Sequence, residues 1–393
     1  MLAPLSSLEA YRRDAVTIDG DGVDDATAAS WLESATRLER AAAARGPERD
    51  RLLAGLLSQL GVVPFPATVV SAETLASTIG AVATSMEDQT FFRLANNLLT
   101  SLLLIVPDEQ VLIRGRIVAH QGRLARNLGD LAHAKRCYEL VEQMGAERGL
   151  PELTARAWNG YGVLAHTRGD FPESRRRYQS VVELKGAADD SLCDAHHQLM
   201  IAAAAAQNYD LAACHAWKAF EGASTPRRET DALINLAQLL LMAGHARPAL
   251  RGFAAALARK PMPRFELATL GGAACAAAVA LPTKQARALV RNFSERVDSL
   301  VSKLNNGGSL PWASALALVE ISEALALVGD ESRASLTAER AEKLARSNGL
   351  HELLHRLENP PVIQAPVTFN AESNAILTAV DELEGAELVG ASA

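Results

Sequence analysis

Along most of the chain, apolar side chains recur three and four residues apart, the spacing that lines one face of a helix. Long alternating runs of Val, Ile and Thr, the mark of strands, are absent. The pattern predicts an almost all-α protein. Helices are expected from about Ala28 to Arg45 and from Glu48 to Leu60. The segment Val62-Val63-Pro64-Phe65-Pro66 breaks the chain, and Ser71 with Thr74 opens the next helix. An apolar helix from about Asp88 to Val106 ends at Pro107. Asp19-Gly20-Asp21-Gly22 resembles part of a calcium loop. Asp24 stands where that loop requires Gly, and Ser30 where it requires Glu, so the stretch reads as a turn before a helix capped by Asp25 or Thr27.

From about Gln110 to Glu358 the pattern repeats. Aligned on a turn position, six copies place Gly129, Gly169, Gln207, Gly244, Leu281 and Gly329 in register, at steps of 40, 38, 37, 37 and 48 residues. The long last step contains Asn305-Asn306-Gly307-Gly308, which predicts an inserted loop. Seven residues before each turn stands Gly122, Gly162, Met200, Ala237, Ala274 or Ser322, mostly small, where two helices can cross closely. After the turn come Ala134, Ser174, Ala212, Ala249, Ala286 and Ala334. Four residues later, Tyr138, Tyr178, Ala216, Phe253, Val290 and Ala338 are placed to fill the space between neighbours. A period of this length is the sequence signature of a solenoid.

These residues resemble tetratricopeptide repeats (TPR). The second copy, with Trp158, Gly162, Gly169, Phe171 and Tyr178, matches best. The step near forty resembles the long-repeat variant of bacterial regulatory arrays. The resemblance implies a right-handed α-solenoid of helix hairpins. It divides the chain into an acidic flexible N-terminus (1–28), an N-terminal helical region of degenerate repeats or cap (29–109), the array (110–358), a Pro-rich linker (359–370) and an acidic C-terminal helix and tail (371–393). It also implies a binding surface on the first helix of each hairpin. In the first two repeats that surface carries Arg116, Arg123, Arg126 and Asn127, then Arg156, Asn159 and His166. His197, Ile201, Gln238, Leu241 and Met242 follow in the third and fourth, so the groove is expected to be basic at one end and apolar further along.

Composition narrows the partner. A formal net charge of −7 and a pI of 5.8 argue against a general nucleic-acid binder. No apolar stretch is long enough to span a bilayer, and the N-terminus has no basic start followed by an apolar run, so a cytoplasmic protein is expected. Cys137, Cys193, Cys214 and Cys275 form no Cys-x-x-Cys pair and read as reduced thiols. The expected partner is a protein or peptide segment, acidic or partly helical, held by Arg forks at one end and apolar contacts at the other.

One motif points to catalysis. His351-Glu352-Leu353-Leu354-His355 fits H-E-x-x-H, which on a helix sets two imidazoles on one face for zinc, with Glu372 as a downstream third ligand. No strand pattern precedes it, and Pro360-Pro361 follow at once, so a zinc hydrolase is the alternative and a non-enzymatic protein without cofactor the expectation. His196, His197 and His215 could approach one another within one repeat, but a metal site there needs further ligands. A homodimer through an exposed terminal face is a third reading. The tail from Ala371 carries five acids and no base, whereas Leu112 to Tyr178 holds twelve Arg and Lys against seven Asp and Glu. The expected tail helix, about Ala371 to Leu388, is therefore either a cap covering the last exposed apolar face or a ligand mimic docked in or beside the array.

Overall fold

The computed structural model describes residues 6–17, 25–61, 71–304, 310–360 and 365–383. The Asp19–Gly22 turn, the Val62–Pro66 break, the Asn305–Gly308 loop, the middle of the Pro-rich linker (361–364) and the tail beyond residue 383 lie outside them. The described residues form nineteen helices and no strand. Two units divide the chain, Met1–Ser191 and Leu192–Ala393, with the boundary inside one helix.

The first unit contains α1 (Ser7–Thr17), α2 (Asp25–Ala43), α3 (Gly46–Gln59), α4 (Ala72–Asp88), α5 (Phe92–Ile105), α6 (Val111–Asn127), α7 (Leu131–Arg148), α8 (Pro151–Thr167) and α9 (Phe171–Glu183). The segment expected to be a flexible N-terminus contains α1. The cause is Asp14, which is buried and accepts the Leu94 N–H at 2.8 Å and Arg93 at 3.1 Å. It thereby satisfies an otherwise open donor at the start of α5. Tyr11 stacks on Phe91 at 5.7 Å, and Trp31 meets the same ring edge-on. Helices α2 to α5 share one core with Ile113, Ile117 and Leu124 of α6. The α4–α5 hairpin packs on α6 with both helices, as α6 and α7 both pack on α8. It therefore behaves as a repeat while lacking the repeat's residues.

The second unit continues from within α10 (Asp189–Ala205) through α11 (Tyr209–Glu221), α12 (Pro226–Met242), α13 (Ala246–Ala258), α14 (Pro263–Ala280), α15 (Thr283–Lys303), α16 (Pro311–Leu327), α17 (Glu331–Ser347), α18 (His351–Glu358) and α19 (Ala371–Asp381). Its core is dominated by Ala and Leu, with Phe253 at its centre. Ala has the highest helix propensity and the least bulk, so Ala-rich α14 and α16 approach closely.

The repeat turns share one geometry. Gly129, Gly169, Gly244 and Gly329 have φ of 81°, 77°, 82° and 75°, and Gln207 occupies the same left-handed region at 57°. In each, the next N–H bonds back to the carbonyl five residues earlier, as Asp130 does to Ala125 and Asp330 to Leu325. This closes the helix in the Schellman manner. The following residue caps the second helix in three copies: Asp130, Asp170 and Asn208 accept from His133, Glu173 and Leu211. The fifth turn differs. Leu281 is extended at φ −110°, and Pro282 leads directly into α15.

The expected crossings are present. A Cβ at Gly122 would stand 2.8 Å from the Tyr138 ring, and one at Gly162 would stand 2.6 Å from Tyr178. Two of the filling aromatics also touch the next repeat. Tyr138 lies against Gly160, and Phe253 against Gly272, both two residues before the crossing position. In the sixth copy Ala334, Thr337 and Ala341 are buried in the register of Ala134, Cys137 and Val141, but Ala338 is half-exposed and does not fill the space that Tyr138 fills. The C-terminal helix does not cap the last repeat. It packs on α11 and α13, the second helices of the third and fourth repeats.

Candidate functional site

In the first unit the first-helix face is a network of ion pairs. Glu87, near the end of α4, has a side chain 13% exposed. Its Oε2 accepts from His120 Nε2 at 2.9 Å and from Arg123 at 2.7 and 3.0 Å, and its Oε1 accepts from Asn127 at 3.1 Å. Burial alone would raise its pKa, but the hydrogen bond from His120 and the charge of Arg123 outweigh it and hold the carboxyl at about 2. Burial and Arg123 push the His120 pKa down, against the pull of Glu87, and facing an ionised carboxylate Nε2 is the donor. Glu152, at the start of α8, takes both forks of Arg116 (2.7 and 2.9 Å) and Nε of Arg156 at 3.0 Å. Its pKa is lowered chiefly by Arg116. Arg116 also reaches Glu73 at 3.2 Å.

The expected basic groove residues are thus largely engaged. Arg116, Arg123 and Arg156 are paired with carboxylates. Arg126 bonds its neighbour Asn127 at 3.1 Å, Asn159 donates to the Ser191 carbonyl at 2.8 Å, and exposed His166 meets the Phe171 ring edge-on at 5.1 Å. Reading the sequence missed Glu73, Glu87 and Glu152. Glu152 carries a signal, four residues before Arg156 on one helix. Glu73 and Glu87 carry a weaker one: they stand fourteen residues apart, close to four full turns. On the second helices, Arg176 and Arg177 both bond Glu173, and Arg177 lies 5.0 Å over the Tyr161 ring.

In the second unit the first helices expose apolar side chains. Met242, Val279 and Leu327 occupy one register position at the ends of α12, α14 and α16, and are 48%, 40% and 46% exposed. Helix α14 packs on both α12 and α16, so the three positions run across adjacent first helices. Ile201 on α10 is exposed as well. His197 Nδ1 stands 3.1 Å from Asn235 Nδ2, and Gln238 lies over Gly272. His197 therefore does not join the other histidines. His196 and His215 do meet, Nδ1 to Nδ1 at 2.9 Å. Burial, then each other's charge and Lys218, would oppose a proton on His196, whose pKa falls to about 4.

The H-E-x-x-H residues sit on the two-turn helix α18. His355 Nδ1 lies 3.2 Å from the Asn359 amide, while Glu372 starts α19 beside Cys214. Among the described residues no three His, Cys, Asp or Glu side chains converge as metal ligands, so Glu372 does not complete a set with His351 and His355. Nearby stands a different cluster. Arg356 of α18 bonds Glu323 at 2.7 Å and Glu320 at 3.4 Å, and Cys275 Sγ contacts the Glu320 carbonyl at 3.2 Å. Glu320 is 3% exposed, and its Oε2, set against Gly271, has no hydrogen-bond partner among the described residues. Burial raises its pKa to about 7 despite Arg356.

No protein-family model matches the sequence, and no curated protein does. Among solved structures, the chain is similar to a signal transduction ATPase with numerous domains (STAND) protein with a tetratricopeptide repeat sensor from Pyrococcus horikoshii. The identity is 12% and the TM-score 0.51, over 78% of this chain and 46% of that one. This chain therefore spans just under half of that protein's length. BtubC from P. vanneervenii is similar at 19% identity with a TM-score of 0.39, over 60% of this chain and 92% of that one. The Pyrococcus likeness, the helix pairing and the shared turns together define the class: an all-α helical-repeat solenoid. No helix among the described residues is long and apolar enough to cross a membrane.

Proposed function

We propose that this chain is a non-catalytic scaffold of the tetratricopeptide type that holds a protein or peptide segment on the face of its first helices. The observation that carries the reading is the row of Met242, Val279 and Leu327, one exposed apolar side chain per repeat at one register position. A contiguous exposed apolar row on a helical array suits a partner helix with anchors at matching intervals. The first unit, taken by itself, offers a more guarded surface. Arg116, Arg123 and Arg156 present their open edges beside Glu73, Glu87 and Glu152, so an acidic partner competes with carboxylates already in place. Exposed Asn127 and His166, with Arg126 beside them, are the groups there that meet a partner without breaking an ion pair to a carboxylate.

The repeats of the Pyrococcus protein are described as a sensor. By analogy, and by the resemblance to bacterial regulatory arrays, we assign this chain a cytoplasmic regulatory role exercised through its partner. The test is capture of partners from the native host by the full-length protein and by two variants. Loss of the same partners in Met242→Asp/Val279→Asp/Leu327→Asp, with retention in Arg123→Glu/Arg126→Glu, is the expected result. Identical capture by wild type and the triple variant would sink this assignment of the surface.

A further inference from the structure

The structure contains one peptide already seated on the array: the chain's own residues 365–381. The segment begins as a short non-helical stretch. Val367 N–H donates to the Ala243 carbonyl at 2.9 Å, and the Val367 carbonyl lies 2.9 Å from His245 Nε2. Gly244 permits this approach, since a Cβ there would stand 2.8 Å from Pro366 Cα. Phe369 then stacks on His245 with ring centroids 4.4 Å apart. The Asn370 N–H binds Asp210 at 2.9 Å, and the Asn370 side chain caps α19 through the Ser373 N–H at 2.9 Å. Along α19, Ile376 and Val380 are buried against α11 and α13, and Arg251 closes the far end on the Asp381 carbonyl at 3.2 Å and its carboxylate at 3.5 Å.

Three features set this segment apart from a repeat helix. Its recognition is self-contained: it has its own cap, a main-chain pair, an aromatic anchor, two apolar anchors and a terminal ion pair. Its site is on second helices of the third and fourth repeats, whereas the helices preceding it in the chain, α17 and α18, pack on each other and, for both, on α16. The connection carries Pro360, Pro361 and Pro366, which favour extended chain and allow no helix to run through. The placement is thus dictated by α11 and α13 and not by the chain leading to it.

We propose that this face of α11 and α13 is a docking site that a second copy of the chain fills with its own residues 365–381, so that two copies exchange C-terminal segments. Exchange keeps every contact described above and requires no new surface, which makes it a low-cost route to a two-fold dimer. The Arg251–Asp381 pair and the Asp210–Asn370 bond fix the segment's polarity, so the exchanged copy must enter in the same orientation. This site is distinct from the apolar row on the first helices, and it stands or falls independently of the partner assigned to that row.

The test uses two full-length variants. His245→Ala/Arg251→Glu damages the face and keeps the segment, whereas Phe369→Asp/Ile376→Asp damages the segment and keeps the face. Each alone is expected to sediment as a monomer, and the mixture to give a one-to-one heterodimer. A mixture that stays monomeric, with both variants retaining wild-type helical circular dichroism, overturns the proposal. If either variant loses that signal, the wild type decides. Its dimer share should rise between about 5 and about 500 µM, because the tethered segment competes at a high effective concentration. Excess free peptide of residues 365–383 should lower that share at least threefold. A wild type monomeric throughout this range, or a dimer indifferent to the peptide, equally overturns it.

Discussion

Two enclosed glutamates, one in each unit, show that burial alone does not decide whether a carboxylate is charged. Glu87 and Glu320 both lie beside an arginine and both are shielded from water. Glu87 collects four hydrogen bonds across both oxygens and is held at about 2. Glu320 has one long contact to Arg356 and an oxygen without a partner, and burial lifts it to about 7. The difference lies in donor supply. α6 turns three donors, His120, Arg123 and Asn127, toward Glu87. By contrast, Glu320 is set against Gly271 at the Ala-rich contact of α14 with α16, and Arg356 gives its better bonds to Glu323. A charge without donors is costly in an apolar interior, and one fully bonded is not.

The comparison can be broken most sharply at Glu87. Glu87→Ala leaves Arg123, Asn127 and His120 facing an emptied site and is expected to destabilise the protein by about 3 kcal/mol, read from urea unfolding at pH 7. Next in size, Arg356→Met removes the partner of both Glu320 and Glu323, with an expected loss of about 2 kcal/mol and a further rise of the Glu320 pKa, followed by carboxyl NMR. Smaller and opposite in sign, Glu320→Gln is expected to stabilise the protein by about 1 kcal/mol at pH 8.

The pH dependence follows from the same contrast. Glu320 is raised from an ordinary value near 4.5, so the folded state holds a proton that the unfolded chain has released, and stability falls as pH rises from about 4.5 through about 7. Glu320→Gln should flatten that slope. Glu87 is depressed, so its contribution is present above about 4.5 and is lost as pH falls toward 2. His196 adds the smallest effect. Its pKa is lowered from 6.5 to about 4, so stability is lost as pH falls across that interval, and His196→Phe should remove part of the loss in the second unit. Equal slopes for wild type and Glu320→Gln between pH 5 and 7.5 would contradict the account of Glu320.

The helical class and the positions of five turns were legible because they rest on local rules: helical spacing, a left-handed residue and, in three of the five, an Asp or Asn cap. Even Gln207 obeys the turn rule without being Gly. Leu281 does not, and there only the period indicated a boundary. The helices α4 and α5 were legible too, but whether they are a degenerate repeat or a cap was not, because their packing uses Leu and Met where the repeats use Gly and Tyr. α1 escaped notice because its anchor, Asp14, pairs with residues some eighty positions away. The same limit applies to the candidate site. The arginines were visible, but the carboxylates that engage them come from other helices, and only Glu152 sits at a local spacing. The return of residues 365–381 to α11 depends on Asp210 and Arg251, more than a hundred residues distant, with no period connecting them.

The shared turn has a consequence for how such a chain can grow or shrink. Gly129 and Gly169 carry the same backbone conformation, and Asp130 and Asp170 make the same backward bond to an alanine carbonyl. Cutting after Gly129 and rejoining at Asp170 therefore rebuilds one complete junction from two halves, and the intervening forty residues leave as an intact module. The array is in effect punctuated at the level of the backbone. Its length can change by whole hairpins with no altered bond angle at the seam, while the side chains meeting across the new neighbours decide whether the shorter molecule holds together.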